Sequence, residues 1–304
     1  LPFYVAVRSS ATAEDLPEAS FAGAQESFLN VTGEAALIEA CHKCFASLYT
    51  DRAISYRFER GYANLPISLS VGVQEMVDVS QGASGVLFTL DTETGCRDLV
   101  LINAVHGLGE PLVQGKVTPD EYLVFKPTME SAPSAVLKHG AGTRDVRTVP
   151  ILGGGTREEP VPEALKYRPV LGDELILKLA KWGCAIESHY SAQRGTPTPM
   201  DVEWAWDGVN SEPAILQARP ETVHSRHPET TPTRTILEEW GRILVQGTSI
   251  GTQIAHGKVR ILNSPAEHRA FSKGDILVAE RTDPDWEPVM RLAAGIITER
   301  GLSL

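Results

Sequence analysis

Cysteine is scarce in this sequence. Four occur in 304 residues (Cys41, Cys44, Cys96 and Cys184), too few and too scattered for a disulfide framework. Cys41-His42-Lys43-Cys44 resembles half a zinc site, but no second Cys or His pair follows at zinc spacing and a structural site needs four ligands. No run of 18 apolar residues occurs, which excludes a transmembrane helix, and no secretory signal opens the chain. Positive charge is also short, with 28 Lys+Arg against 39 Asp+Glu and a net charge of −11. With no local basic patch, that field repels nucleic acid and anionic membranes. No G-x-x-x-x-G-K-[ST] loop is present, and no Ser/His/Asp set has local support. A composition 42% hydrophobic and 22% charged excludes intrinsic disorder, and the length suits two domains or one large one. The expectation is a soluble, cytoplasmic protein with no nucleic-acid or membrane partner.

Several segments carry a secondary-structure signal. Residues 3–7 suit a buried strand, and Leu37, Ile38, Cys41, Cys44, Phe45 and Leu48 recur at helical spacing over residues 34–49, which puts both cysteines on an apolar stripe. Residues 67–73 alternate as a strand and run into Gln74-Glu75-Met76-Val77; further strands are expected at 86–90, 99–105 and 122–125. The stretch 126–171, with Gly153-Gly154-Gly155 at its centre, reads as extended segments and a mobile loop. A helix is expected from Asp173 as N-cap, then strands at 200–206 and 214–219 joined through Asp207-Gly208. Polar, Pro-punctuated residues 224–234 form the best linker, dividing the chain into 1–223 and 235–304. Beyond it, short strands are expected within 243–262 and at 275–279. The chain opens at Leu1 without Met and stops at Leu304 just after the strand-like Ala294-Gly295-Ile296-Ile297-Thr298. Both ends read as cuts through folded structure.

The late hairpin is the most informative constellation. Asp201 and Glu203 share one face of their strand, and Gln217 and Arg219 share one face of the next. Paired strands would gather two carboxylates, an amide oxygen and a guanidinium. Hard oxygen donors suit Mg²⁺ held together with phosphates, and Arg supplies a planar donor fork for phosphoryl oxygens. A salt-bridged, exposed hairpin is the alternative that the spacing allows. Arg8-Ser9-Ser10 at a strand end, followed by the small-residue loop Ala19-Ser20-Phe21-Ala22-Gly23, is also apt for phosphate, although a capped turn would read the same way. Gly107-Leu108-Gly109 fails as a dinucleotide fingerprint because Leu112 stands where the third glycine belongs, and it remains a tight turn that presents Glu110.

Together these pieces resemble the phosphoenolpyruvate-utilising dikinases. The resemblance is carried by residues 7–23, 51–57 and 84–93, Gly107-Leu108-Gly109-Glu110, Val113-Gln114-Gly115, Pro119-Asp120-Glu121, 200–205, 217–223 and 282–290, in order along the chain. It implies an α+β architecture: an ATP-grasp-type nucleotide domain over 1–223, N-terminally incomplete, then part of a swivelling β/α phosphohistidine domain over 235–304. The implied activity is ATP-dependent phosphoryl transfer to a carrier histidine, converting pyruvate, ATP and water to phosphoenolpyruvate, AMP and phosphate. Implied partners are ATP, Mg²⁺, pyruvate held by a barrel absent from this chain, and further copies in a homo-oligomer.

Position by position, the resemblance gives Glu203 and Gln217 the metal, with Asp201 supporting them. Arg8 and Arg219 clamp phosphates beside Ser9 and Ser10, and Ser20, Phe21, Ala22 and Gly23 form the phosphate loop. Gln74, Glu75, Met76 and Val77 form the hinge against which adenine lies. Arg8, Glu203 and Arg219 are the expected catalytic groups. A family lysine belongs to a segment preceding Leu1, and the phosphorylated histidine is expected just beyond residue 304. Alternatives are a dikinase that uses phosphate, an antibiotic phosphotransferase, and a nucleotide-binding module without catalysis.

Overall fold

Two β-sheets, one small and one large, frame the N-terminal three quarters of this computed structural model. It describes residues 3–11, 15–16, 19–20, 27–59, 68–113, 116–130, 135–210, 212–222, 241–247, 254–282 and 286–299. Strand β1 (Val5–Ala11) starts two residues later than expected and runs four residues further, with Val7 fully buried. A two-residue ribbon, β2 (Asp15–Leu16) and β3 (Ala19–Ser20), leads to β4 (Ser27–Val31). Helix α1 (Glu34–Ala46) then packs Ala40 and Cys44 on Val5 and Val7. The apolar stripe of α1 is narrower than its periodicity suggests: Ile38 and Phe45 are exposed. The Cys44 thiol donates to the Val7 carbonyl, so the cysteine pair belongs to packing. After α2 (Asp51–Glu59), β5 (Leu69–Glu75) completes an antiparallel sheet in the order β4-β1-β5.

The larger sheet begins with β6 (Ala83–Phe88) and β7 (Leu99–His106). Buried on both faces, these central strands read as continuous apolar runs rather than alternating ones. A short α3 (Glu110–Val113), β8 (Asp120–Phe125) and β9 (Val136–Gly140) follow. Next come β10 (Val146–Pro150), β11 (Thr156–Pro160), α4 (Glu163–Lys166) and the long α5 (Asp173–Arg194). The N-cap of α5 is Gly172, not Asp173; Asp173 and Glu174 occupy the first turn, where they complement the helix dipole. The helix stops at Gly195 with φ 68°, a left-handed cap. Strands β12 (Met200–Trp206) and β13 (Ala214–Pro220) close an all-antiparallel sheet, β13-β12-β6-β7-β8-β9. Across one face lies α5, whose Ile176, Leu179 and Ala180 join Leu87, Ile102, Tyr122, Val202 and Trp204 in the main core. Each large apolar side chain fully buried there contributes roughly 1.5–3 kcal/mol.

The glycine run, expected as a mobile loop, forms a hydrogen-bonded hairpin turn. Residues 151–155 turn β10 into β11, with Gly153, Gly154 and Gly155 all at positive φ, a conformation L-residues resist. Asn30 pins that turn: its amide donates to the carbonyls of Ile151 (2.8 Å) and Gly155 (2.7 Å), and its own carbonyl accepts from Gly155 N at 3.0 Å. Reading the sequence alone, three glycines carry no side-chain pattern to reveal such a lock.

The large sheet is tied to the loops behind it through Asp120, 2% exposed. Its carboxylate accepts from Arg144 (2.6 and 2.7 Å), Gly142 N, Val170 N and the Tyr122 hydroxyl. Burial pushes this carboxyl up, but the Arg144 guanidinium and the three neutral donors outweigh it and hold it below its ordinary value.

A third, smaller sheet follows in the described residues. Of the short strands expected within 243–262, one forms at Val259–Ile261; residues 241–247 form no regular element, and none of the described strands pairs with them. Strands β14 (Val259–Ile261), β15 (Ile276–Ala279) and β16 (Gly295–Thr298) form a parallel sheet, and the crossover from β15 to β16 contains α6 (Glu287–Met290). The expected linker at 224–234 lies outside the described residues. No helix among the described residues is long and apolar enough to cross a membrane.

Candidate active site

Strands β12 and β13 pair so that Asp201 faces Arg219 and Glu203 faces Gln217. Period-two alternation puts these four side chains on the sheet face opposite α5, while Val202 and Trp204 are fully buried beneath it. The Arg219 Nε donates to Asp201 Oδ2 at 2.8 Å. Burial pushes the Asp201 carboxyl above its ordinary value, the Arg219 guanidinium pulls it down, and the nearby Glu203 and Glu221 push it further up.

The small sheet supplies the other side. Arg8 lies opposite Gly72, and Gln74 lies opposite Ala6, so Arg8 and Gln74 occupy one face of the β1-β5 pair. From that face, Arg8 Nη2 donates to Glu203 Oε2 at 2.5 Å and Gln74 Nε2 donates to the Leu216 carbonyl at 3.1 Å. Alternation puts Ser10 on the Arg8 face and Ser9 on the other.

Beside the polar cluster, Val79, Leu108 and Ala205 form an apolar patch against which Leu29, Met76, Val77 and Leu216 pack. Met76 N donates to the Tyr4 carbonyl at 3.0 Å, tying the exit of β5 back to the start of the small sheet. The Gly107-Leu108 turn borders this patch. Gly107 has φ 78°, and a Cβ there would stand 2.3 Å from the Thr148 carbonyl oxygen, so only glycine fits. Ser84 Oγ holds the Gly107 carbonyl at 2.7 Å.

The structure thus brings together Arg8, Asp201, Glu203, Gln217 and Arg219, with Gln74, Met76 and Val77 at their edge. Glu75 is exposed on β5. Ser20 lies in the β2-β3 ribbon opposite Asp15, while Phe21, Ala22 and Gly23 lie outside the described residues. One feature escaped the sequence reading: β13 carries one more residue than its partner at Leu216, and Gln74 reaches that carbonyl. Register irregularities leave no mark in a residue pattern.

The donor set limits what the site can hold. Among the described residues no group of three or more His, Cys, Asp or Glu is placed to bind a metal. Glu203 and Gln217 offer two hard oxygen donors side by side, which suits a cation that takes its other ligands from water and phosphate, as Mg²⁺ does. Two guanidinium groups within the same cluster suit an anionic, oxygen-rich ligand.

Comparison with known proteins agrees with this chemistry. Residues 2–239 match the family described as pyruvate phosphate dikinase, AMP/ATP-binding domain, and residues 271–303 match the PEP-utilising enzyme, mobile domain. A phosphoenolpyruvate synthase of Aquifex aeolicus is 51% identical over 310 residues, covering 98% of this chain and 35% of that protein. The one from Synechocystis is 48% identical over 299 residues (98% and 37%), and the one from Escherichia coli 45% over 300 residues (97% and 37%). The chain therefore spans a little over a third of the length of the curated relatives it matches.

Proposed function

The chain belongs to the pyruvate phosphate dikinase AMP/ATP-binding domain family, and on that premise we propose that it binds ATP with Mg²⁺ between its small and large sheets and starts phosphoryl transfer to a carrier histidine. The whole protein would act as a phosphoenolpyruvate synthase, the name its relatives carry, forming phosphoenolpyruvate, AMP and phosphate from pyruvate, ATP and water. In this reading residues 1–223 are an ATP-grasp-type domain, 224–234 a link, and 235–304 part of a swivelling phosphohistidine domain. Pyruvate would be held elsewhere in a cytoplasmic homo-oligomer.

The observation that carries the reading is the meeting of Arg8 with Glu203, directly across from Gln217, beside the Asp201–Arg219 pair. Phosphoryl transfer depends mainly on positioning and on neutralising phosphate charge, and this cluster is built for both. Glu203 and Gln217 would hold Mg²⁺, which when bound neutralises and orients phosphate oxygens. Asp201 keeps Arg219 aimed along the face, so the direction of this guanidinium is fixed before phosphate arrives. Arg8 approaches from the facing sheet and can give its other N–H groups to the same phosphates. Ser10, on the Arg8 face, would add a hydroxyl and the loop Ser20, Phe21, Ala22 and Gly23 backbone donors, whereas Ser9 faces away from them. The apolar patch around Leu108, Met76, Val77 and Leu216 suits the flat face of a purine and excludes water beside the phosphates. The β5 exit, Gln74, Glu75, Met76 and Val77, would offer backbone groups to the base edge.

The test is the pairing of ligand and metal. ATP affinity of the purified protein is expected to rise with Mg²⁺ and to lose that dependence in Glu203→Gln. A Mg²⁺-independent affinity unaltered by that substitution would refute the reading.

A further inference from the structure

The register of β12 and β13 is interrupted once. Glu203 faces Gln217, but Trp204 faces Ile215, which leaves Leu216 as an extra residue on β13. A β-bulge of this kind takes its extra residue out of the ladder and re-aims the side chains beside it. The Leu216 side chain packs with Ala205, Leu108 and Val79, and its carbonyl accepts the hydrogen bond from Gln74 Nε2 at 3.1 Å. That bond joins residues 142 positions apart, on different sheets.

Gln74 and Arg8 therefore leave the same face of the small sheet and reach adjacent rungs of the large one. Arg8 takes Glu203; Gln74 takes the residue immediately before Gln217. We propose that Gln74 is a positioning residue: by holding the bulged Leu216 carbonyl it fixes the orientation in which Gln217 stands beside Glu203 for a divalent cation. Without that donor the bulge can relax toward the regular register, in which Leu216 would oppose Trp204 and exchange faces with Ile215. The oxygen pair would then lose its fixed spacing while the phosphate-binding arginines kept theirs. The inference rests on the reading of Glu203 and Gln217 as metal donors.

Mn²⁺ titration followed by electron paramagnetic resonance, on the intact protein with a non-hydrolysable ATP analogue, tests it. Gln74→Met keeps the length and removes the donor. Its Mn²⁺ dissociation constant is expected to rise roughly three- to tenfold, the loss of one neutral hydrogen bond, and to rise by more than the analogue's dissociation constant does in EDTA, since Gln74 meets the base through its backbone. Gln217→Ala is expected to weaken Mn²⁺ further, and the double variant to be no weaker than Gln217→Ala, since Gln74 acts only through Gln217. Additive effects, equal loss of metal and metal-free analogue binding, or no effect of Gln74→Met where Gln217→Ala weakens Mn²⁺ would each overturn the positioning role and leave the metal pair standing. No effect of Gln217→Ala would instead remove the metal pair, and Gln74's role with it. Gln74→Leu, measured in parallel with thermal melts, guards against a fold defect peculiar to one variant.

Discussion

Arg8 and Glu203, on different sheets and 195 positions apart in sequence, meet at 2.5 Å. The pair is partly exposed, with side-chain exposures of 24% and 35%, so as a surface salt bridge it adds little stability. Its importance is positional: it places a guanidinium against the carboxylate that lies across the hairpin from Gln217.

Arg8→Ala is accordingly expected to leave the melting temperature nearly unchanged while slowing ATP-dependent phosphoryl transfer by about 10²- to 10³-fold, the usual cost of one preorganised charge-stabilising donor. Arg8→Lys should recover only part of the rate, because a point charge does not replace a planar fork. Steady-state kinetics on the complete enzyme checks both; a large melting shift without a rate defect would make Arg8 a purely structural residue.

Metal dependence separates the two members of the oxygen pair. Glu203→Gln removes a negative charge from the ligand set, whereas Gln217→Glu adds one, so Mg²⁺ stimulation is expected to be lost in the first and to be kept, at equal or lower Mg²⁺, in the second. Mg²⁺ titration of the initial rate distinguishes them. Identical curves for both variants and the wild type would mean that neither oxygen meets the metal.

The Asp201 carboxyl has its pKa raised, first by burial, so over a window above the ordinary carboxylate value the folded chain holds a proton that the unfolded chain has lost. Stability contributed by this group is then full below the ordinary value and declines as pH rises through the folded one. Urea unfolding followed upward from the ordinary carboxylate value should show that decline in the wild type and not in Asp201→Asn. A wild-type curve parallel to that of Asp201→Asn would contradict it.

Asp120 has the opposite sign. Its folded pKa is lowered, so its contribution is present above the ordinary carboxylate value and is lost as pH falls through the depressed one. Asp120→Ala leaves Arg144 and two backbone N–H groups without their acceptor and is expected to cost about 3–5 kcal/mol. Chemical unfolding measures this, and a loss under 1 kcal/mol would show that water or another acceptor replaces the carboxylate.

Local pattern carried much of this to the reader of the sequence. The Asp201/Glu203 and Gln217/Arg219 spacings, with Asp207-Gly208 between them, were enough to gather four polar groups on one face, because strand alternation and hairpin pairing are short-range rules. Family resemblance, not spacing, pointed to Arg8 as their companion, since nothing local links residues 8 and 203. What stayed illegible depends on long-range partners: the bulge at Leu216, the Asn30 lock on the glycine turn, and the four donors converging on Asp120. Each joins segments whose own sequences look like ordinary loop or strand. The N-cap of α5 was misplaced by one residue for a simpler reason: Asp is as favourable in the first turn as at the cap.

Calorimetric titration of ATP into the wild-type protein and Glu203→Gln, each with and without Mg²⁺, bears most directly on the central claim. Binding is expected to be strengthened by Mg²⁺ in the wild type and to be indifferent to it in the variant. Equal affinities under all four conditions would contradict a metal-supported nucleotide site between the two sheets.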